Sequence, residues 1–294
     1  MLRKLLLFLT AAVLSVGVLL WTCRSIIGAM LIERLTDNAK SSGLSLRVGK
    51  QSLNYRSFSL EDVQLDGIWG GTPVSLKVDE LTISPTWASL LSGKGEAAFQ
   101  GRLYRGTLEG RAYLLLSDGS GSASAVLDRL ELSDYPLLGA LGIDRGQLSL
   151  RVPSLSWKKG APTGTFELEV IKARKAVAST LSKGMAIPIT IPAFERVDIS
   201  AKGGLAPSGI VLRPLTVNCD FGELTGDLSA SQRADSRALV LDGELETSLS
   251  ESGGSLIGDW LPVISQGSLQ KDVRKFTVHF SGPSSRPQIR MTPR

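Results

Sequence analysis

Residues 90–110 read LLSGKGEAAFQGRLYRGTLEG, with glycine at 93, 95, 101, 106 and 110 and a lysine between the first two. Glycine beside lysine is the material of a phosphate-cradling loop. Bare backbone N–H groups wrap the phosphates and the ammonium neutralises them. The spacing does not fit that chemistry. A P-loop needs Gly-x-x-x-x-Gly-Lys-Ser/Thr between a strand and a helix, whereas Lys94 precedes Gly95 and the pattern runs helix, turn, strand. A dinucleotide fingerprint needs a third glycine where Ala98 stands, and a helix after it. The strand reading accounts for the stretch instead. Ala97, Phe99, Gly101 and Leu103 share one face, Tyr104 to Thr107 make the turn, and Leu108, Gly110, Ala112 and Leu114 return. Glycine then supplies positive φ at the turn.

Other reactive side chains are sparse. His279 is the single histidine, on the polar side of a predicted strand, and the cysteines are Cys23 and Cys219. No His/Cys metal cluster and no disulfide framework can be assembled from these. Cys219 reads as a small buried apolar side chain. There is no Gly-x-Ser-x-Gly elbow, and the serine-rich stretch 117–124 has the composition of a loop. The carboxylate pairs Glu61-Asp62 and Asp79-Glu80 are expected at strand ends, as solvated turns, and adjacent residues on a strand point to opposite faces. The expectation is a protein that is not an enzyme, with no catalytic residues, cofactor or metal.

The elements around these residues begin with an apolar run at 5–23, free of charge and preceded by Arg3 and Lys4. A helix of that length rises about 28 Å, near the hydrocarbon thickness. It predicts a single-pass signal anchor with a cytoplasmic N-terminus and the bulk of the chain in the periplasm. Cleavage of the run and lipidation of Cys23 are the rival fates. Ile26, Ile27, Met30, Leu31 and Leu35 continue at helical spacing opposite Glu33, Arg34, Asp37 and Lys40. This juxtamembrane helix either packs on the first strands or lies in the membrane surface. The chain carries 33 basic and 28 acidic residues. Without Arg3, Lys4 and Arg24 the charge is near balance, and no basic stripe with aromatics appears, so nucleic acid is excluded as a partner.

The body, 41–294, is expected to be one periplasmic β-rich domain, with a candidate seam near 171–192. From residue 44 the apolar period is two, in short runs bounded by Gly, Asn, Asp or Pro. The fold class is mainly β: a long, twisted, partly rolled antiparallel sheet with a few short helices. Those helices are expected at 85–93, 135–142 and 255–265, with 171–184 as a further candidate. A Gly-x-apolar template recurs at Gly101, Gly106, Gly146, Gly164, Gly222 and Gly243, at irregular spacing. The candidate apolar face, core or groove, comprises Phe99, Leu103, Leu108, Leu114, Leu148, Leu150, Phe276, Val278 and Phe280.

The order of segments resembles type II secretion system protein N. It is carried by VDELTISPTWASLLSGKGEAAFQGRLYRGTLEG (78–110), LELSDYPLLGALGIDRGQLSL (130–150) and LTVNCDFGELTGDLSAS (215–231). More distantly, the closing VHFSGPSSRPQIRM (278–291) is similar to the ends of AsmA-like envelope proteins. The resemblance implies an inner-membrane-anchored periplasmic accessory of protein secretion. Its partners would be the membrane and other secretion-system or envelope proteins, and it implies no catalytic residues. The AsmA-like similarity implies the alternative, a lipid-binding or lipid-transfer protein with an apolar β-groove.

Overall fold

The computed structural model describes residues 33, 36, 37, 40, 44–54, 56–69, 72–86, 89, 92–115, 117–135, 138, 142–158, 161–177, 179–181, 189–191, 193–232, 239–283 and 288–294. The apolar run at 5–23 lies outside them, and with it the anchor, cleavage and Cys23 readings. Among the described residues no helix is long and apolar enough to cross a membrane. Glu33, Thr36, Asp37 and Lys40 are helical, with Glu33, Asp37 and Lys40 exposed, as the polar side of the juxtamembrane helix requires.

The protein is mainly β. Fourteen strands form an antiparallel sheet whose order follows the chain, and a separate two-stranded sheet is inserted between its eighth and ninth members. By compactness the chain divides into two units. The smaller comprises residues up to Pro85 with Phe99–Leu103, and the larger Thr86–Ala98 with Tyr104–Arg294.

In the smaller unit β1 (Leu44–Leu53), β2 (Phe58–Trp69) and β3 (Thr72–Pro85) form a meander. Val48 faces Val63 and Val63 faces Val78, with both Val63 and Val78 buried. The apolar phase slips between Leu60 and Val63. Asp62, at φ 52°, is skipped by both ladders there. The register is the same on either side of Asp62, so no residue is extra there; its left-handed φ turns the strand so that Leu60 and Val63 are both buried. Both carboxylate pairs lie inside β2 and β3 rather than at strand ends, and Glu61 and Glu80, one from each pair, meet across the strands. Each has its own cation, Lys50 at 3.7 Å from Glu61 and Arg102 at 3.0 Å from Glu80. They are therefore balanced surface pairs.

The larger unit holds the start of β4 (Lys94–Leu103), then β5 (Gly106–Leu115), β6 (Gly121–Glu131), β7 (Arg145–Lys158) and β8 (Ala161–Lys175). The small hairpin of β9 (Ser179–Leu181) and β10 (Ile189–Ile191) follows. Then come β11 (Phe194–Ala206), β12 (Gly209–Cys219), β13 (Gly222–Gln232), β14 (Leu239–Leu249), β15 (Lys275–Pro283) and β16 (Gln288–Pro293). The helical expectation for 171–184 is overturned. β8 runs to Lys175, and Ser179–Leu181 pairs with Ile189–Ile191. Ile171 and Ala173 continue the strand ladder, so tertiary pairing overrides the helix-forming Lys/Ala/Arg composition. β8 pairs with β11 across this insertion.

The helix expected at 255–265 starts earlier. Helix α1 (Glu251–Ile257) is capped by Ser250, whose Oγ accepts from Gly253 N at 3.1 Å, and leads through a 3-10 turn to α2 (Leu261–Ile264). The Gly253-Gly254 pair reads as a helix breaker, but a Cβ at Gly253 would collide with the Phe221 carbonyl. Glycine is there to let the helix lie on the β12–β13 turn. Of the helices expected at 85–93 and 135–142, Ser89 and Leu138 are described and helical. Gly93 takes φ 72°, as a helix stop does.

Candidate functional site

Lys94 and Gly95 of the candidate phosphate loop open strand β4, and the hairpin from β4 to β5 is closed by a two-residue turn. Its positive φ values fall on Tyr104 (46°) and Arg105 (60°) rather than on Gly106. Such a turn favours glycine or asparagine, so other contacts hold it. The buried Tyr104 ring meets Tyr135 edge-on at 5.6 Å, Arg105 pairs with Asp134 at 3.0 Å, and Tyr104 O accepts from Glu131 N. Gly106 is needed for a different reason. A Cβ there would stand 2.6 Å from Asp128 O and 2.7 Å from a Leu130 methyl. The loop expected at 117–124 is confined to 117–120, where the Asp118 carboxylate accepts from Ser120 N and Oγ, and 121–124 instead open β6 in pairing with β5.

Most of the expected apolar-face residues are brought together by the larger unit. Leu108 faces Leu127, Leu127 faces Leu150, and Leu150 faces Leu168. The row continues through Ala201 and Leu215 to Gly226 and Leu245, and ends at Val278 and Met291. A neighbouring row carries Leu148, Val170, Ile199, Val217 and Leu224 to Thr247 and Phe276. On the opposite flank, Phe166, Gly203, Leu212 and Leu228 lead to Gly243, Phe280 and Ile289. The Phe166 ring lies over Gly203, where a Cβ would collide with it. An aromatic covering a cross-strand glycine seals the face without widening the strand spacing. Leu114 faces Gly121 farther along and is exposed. Phe99 and Leu103 belong to the smaller unit, Phe99 half-buried and Leu103 buried.

Burial along these rows is graded. The connections after β6, β8, β12 and β14 leave from the end nearest the Leu148–Phe276 row, as the register dictates. There Leu261 and Leu269 pack on Phe276 and Val278. Leu132 packs with Val170 and Ala173, joined by Leu138 and Ile143. Phe276 is 3% exposed. In the Phe166–Phe280 row, Phe166, Leu212, Leu228 and Phe280 are all half-buried and Ile289 is exposed. The apolar face is thus closed at one end of the strands and open toward the other. In the closed region Thr247 Oγ1 is buried without a hydrogen-bond partner among the described residues.

The polar face is a lattice of cross-strand charge. Lys202 pairs with Glu167 at 3.6 Å, Arg213 with Asp227 at 2.5 Å, and Arg294 with Glu246. His279 lies on this face, its Nδ1 3.7 Å from Glu244 and its Nε2 3.4 Å from Thr292 Oγ1. Cys219 is half-buried at the end of β12. Among the described residues no group of three or more His, Cys, Asp or Glu side chains is placed to hold a metal ion.

Two hollows on this face differ in charge. One, of about 430 Å³, is bordered by Asp128, Arg151, Glu167, Glu169 and Lys202, nearly balanced and slightly acidic. The other, of about 560 Å³, is bordered by Arg145, Lys172, Arg174 and Arg196 against Glu131 and Glu195. Asp144 accepts from Arg174 Nε at 3.2 Å and Nη2 at 3.0 Å, which holds its carboxyl below the usual range. Asp198 accepts from Arg196 Nε at 2.6 Å and from Lys172 N at 2.7 Å, and its carboxyl is likewise depressed, chiefly by Arg196. The second hollow lies where the β7–β8 register shifts between Arg145 and Gln147, and the β8–β11 register between Val197 and Ile199. Sequence reasoning missed these cations. The signal was present: apolar spacing widens to three from Val170 to Ala173, as from Leu127 to Leu130 and Leu60 to Val63. Each gap holds a charged residue at positive φ, namely Lys172, Arg129 and Asp62.

No family model, no curated protein and no solved structure matches this chain.

Proposed function

We propose that this chain is an inner-membrane-anchored, periplasmic accessory or scaffold component of type II protein secretion in a bacterial envelope. The observation that carries the reading is the form of its most diagnostic stretch. Lys94–Leu103 and Gly106–Leu115 are two strands joined by a Tyr-clamped turn, an architectural element rather than a ligand loop. In this role the apolar run at 5–23 fixes the chain at the membrane, and the polar face, edges and connections meet neighbouring secretion or envelope proteins. Deleting the gene is expected to trap normally exported proteins in the periplasm, seen by comparing periplasmic and culture fractions. Unchanged export rules the role out.

A second reading, lipid binding or transfer, is favoured by the open part of the apolar face. Rows of leucine and phenylalanine that remain half-buried leave apolar surface accessible to a ligand. A long, twisted, partly rolled sheet would close that surface into a trough for acyl chains. Mass spectrometry of lipid co-purifying with the full chain tests it. Loss of that lipid on Phe280→Ser is the expected result, and a lipid-free wild-type chain rules it out.

A further inference from the structure

The polar-face hollow of about 560 Å³ contains chemistry that a scaffold role does not use. It is bordered by four cationic side chains and two carboxylates. Arg174 and Arg196 are engaged by Asp144 and Asp198, and Glu131 is held by Gln147 Nε2 at 2.9 Å. Arg145 and Lys172 make no ion pair at contact distance among the described residues. Arg145 feels Asp144, and Lys172 feels Asp198, only as longer-range attractions. Both are exposed. Arg145 stands opposite Arg174 in the register, and the Asp144 carboxylate that serves both is taken up at hydrogen-bond distance by Arg174.

The backbone fixes these cations. Lys172 sits at φ 52°, unfavourable for a side chain of its kind, and its N–H is held by Asp198. Gly146, beside Arg145, takes φ 126°. Adjacent bulges that re-aim side chains into a common hollow are a recurrent feature of binding sites.

A second observation indicates where the anion comes from. The hollow lies at the end of the strands from which the connection after β8 leaves, and that connection exposes a large aliphatic side chain. Val177 is 73% exposed, and a Cβ on Gly142, two residues before Asp144, would stand 3.9 Å from Val177 O. Cations beside an exposed aliphatic match an anionic bilayer surface, with phosphate for the first and acyl boundary for the second.

We propose that this end of the larger unit binds an anionic phospholipid headgroup, with its phosphate between Arg145 and Lys172. Arg145 offers a planar fork and Lys172 a point charge to the same phosphate oxygens. The proposal rests on the membrane-anchored part of the reading above and not on secretion, because it is read in vitro whatever the export phenotype.

The test titrates the full chain, in a nonionic detergent, with short-chain phosphatidylglycerol, and separately with inorganic phosphate, following binding by 31P line broadening. Saturable phosphatidylglycerol binding is expected. Arg145→Gln with Lys172→Gly should weaken it about tenfold or more, the loss of charge-assisted bonds. Glycine is chosen at 172 because it adopts φ 52° without strain, so the fold survives. Arg151→Gln with Lys202→Gln, at the balanced hollow, should leave binding unchanged. Equal phosphatidylglycerol affinity in the Arg145/Lys172 variant overturns the site. Inorganic phosphate binding as tightly as the lipid overturns the headgroup assignment.

Discussion

The two ends of the strands in the larger unit are built from the same alternating residues and differ in what happens beyond them. At one end, long connections fold back and seal Phe276, Val278, Val170 and Ala173. Toward the other end the β11–β12 connection is a tight turn, and Phe166, Leu212, Leu228 and Phe280 remain half-buried. Period-two patterning fixes which face a side chain takes, but not whether that face is covered. Covering depends on segments distant in sequence, such as Leu261 and Leu269 on Phe276.

The largest contrast should come from matched truncations. Phe276→Ala is expected to cost about 3–5 kcal/mol, as for a sealed aromatic. Phe280→Ala, on the same strand and face, should cost less than half of that. Urea denaturation measures both, and equal losses would show that the open region is as well packed as the closed one. Gly106→Ala puts a methyl against Asp128 O and Leu130 at the covered end, and about 1–3 kcal/mol of destabilisation is expected. Thr247→Val should act in the opposite sense. It removes a buried hydroxyl without a partner and should stabilise by about 1 kcal/mol.

The smallest effect is on acid stability. The Asp198 carboxyl is lowered in the folded chain, first by its bond from Arg196. A depressed carboxyl stabilises the fold above its unfolded pKa, and this contribution is lost as pH falls through the folded value. Asp198→Asn should therefore flatten the decline of stability below about pH 4. A decline as steep as in the wild type would remove Asp198 from that account.

The face of each strand was legible because alternation is local: Leu148, Leu150, Phe276, Val278 and Phe280 all fall on the apolar side. The turn at Tyr104-Arg105 was not. Glycine at 106 drew the expectation of positive φ, whereas the strain is carried by residues whose partners, Tyr135 and Asp134, lie about thirty positions away. The strand at 171–175 was hidden by helix-forming composition. The second hollow was hidden because its cations lie on three strands, and only their register brings Arg145, Lys172 and Arg196 together.

The chain-order sheet has an evolutionary consequence. From β12 to β15 each strand bonds only to the strand made just before it and the one made just after. Such a ladder is nearly one-dimensional, its stability a sum over neighbouring pairs. Adding or deleting a whole hairpin preserves the alternation of every remaining strand, so the breadth of the sheet can drift between relatives while its two faces keep their character.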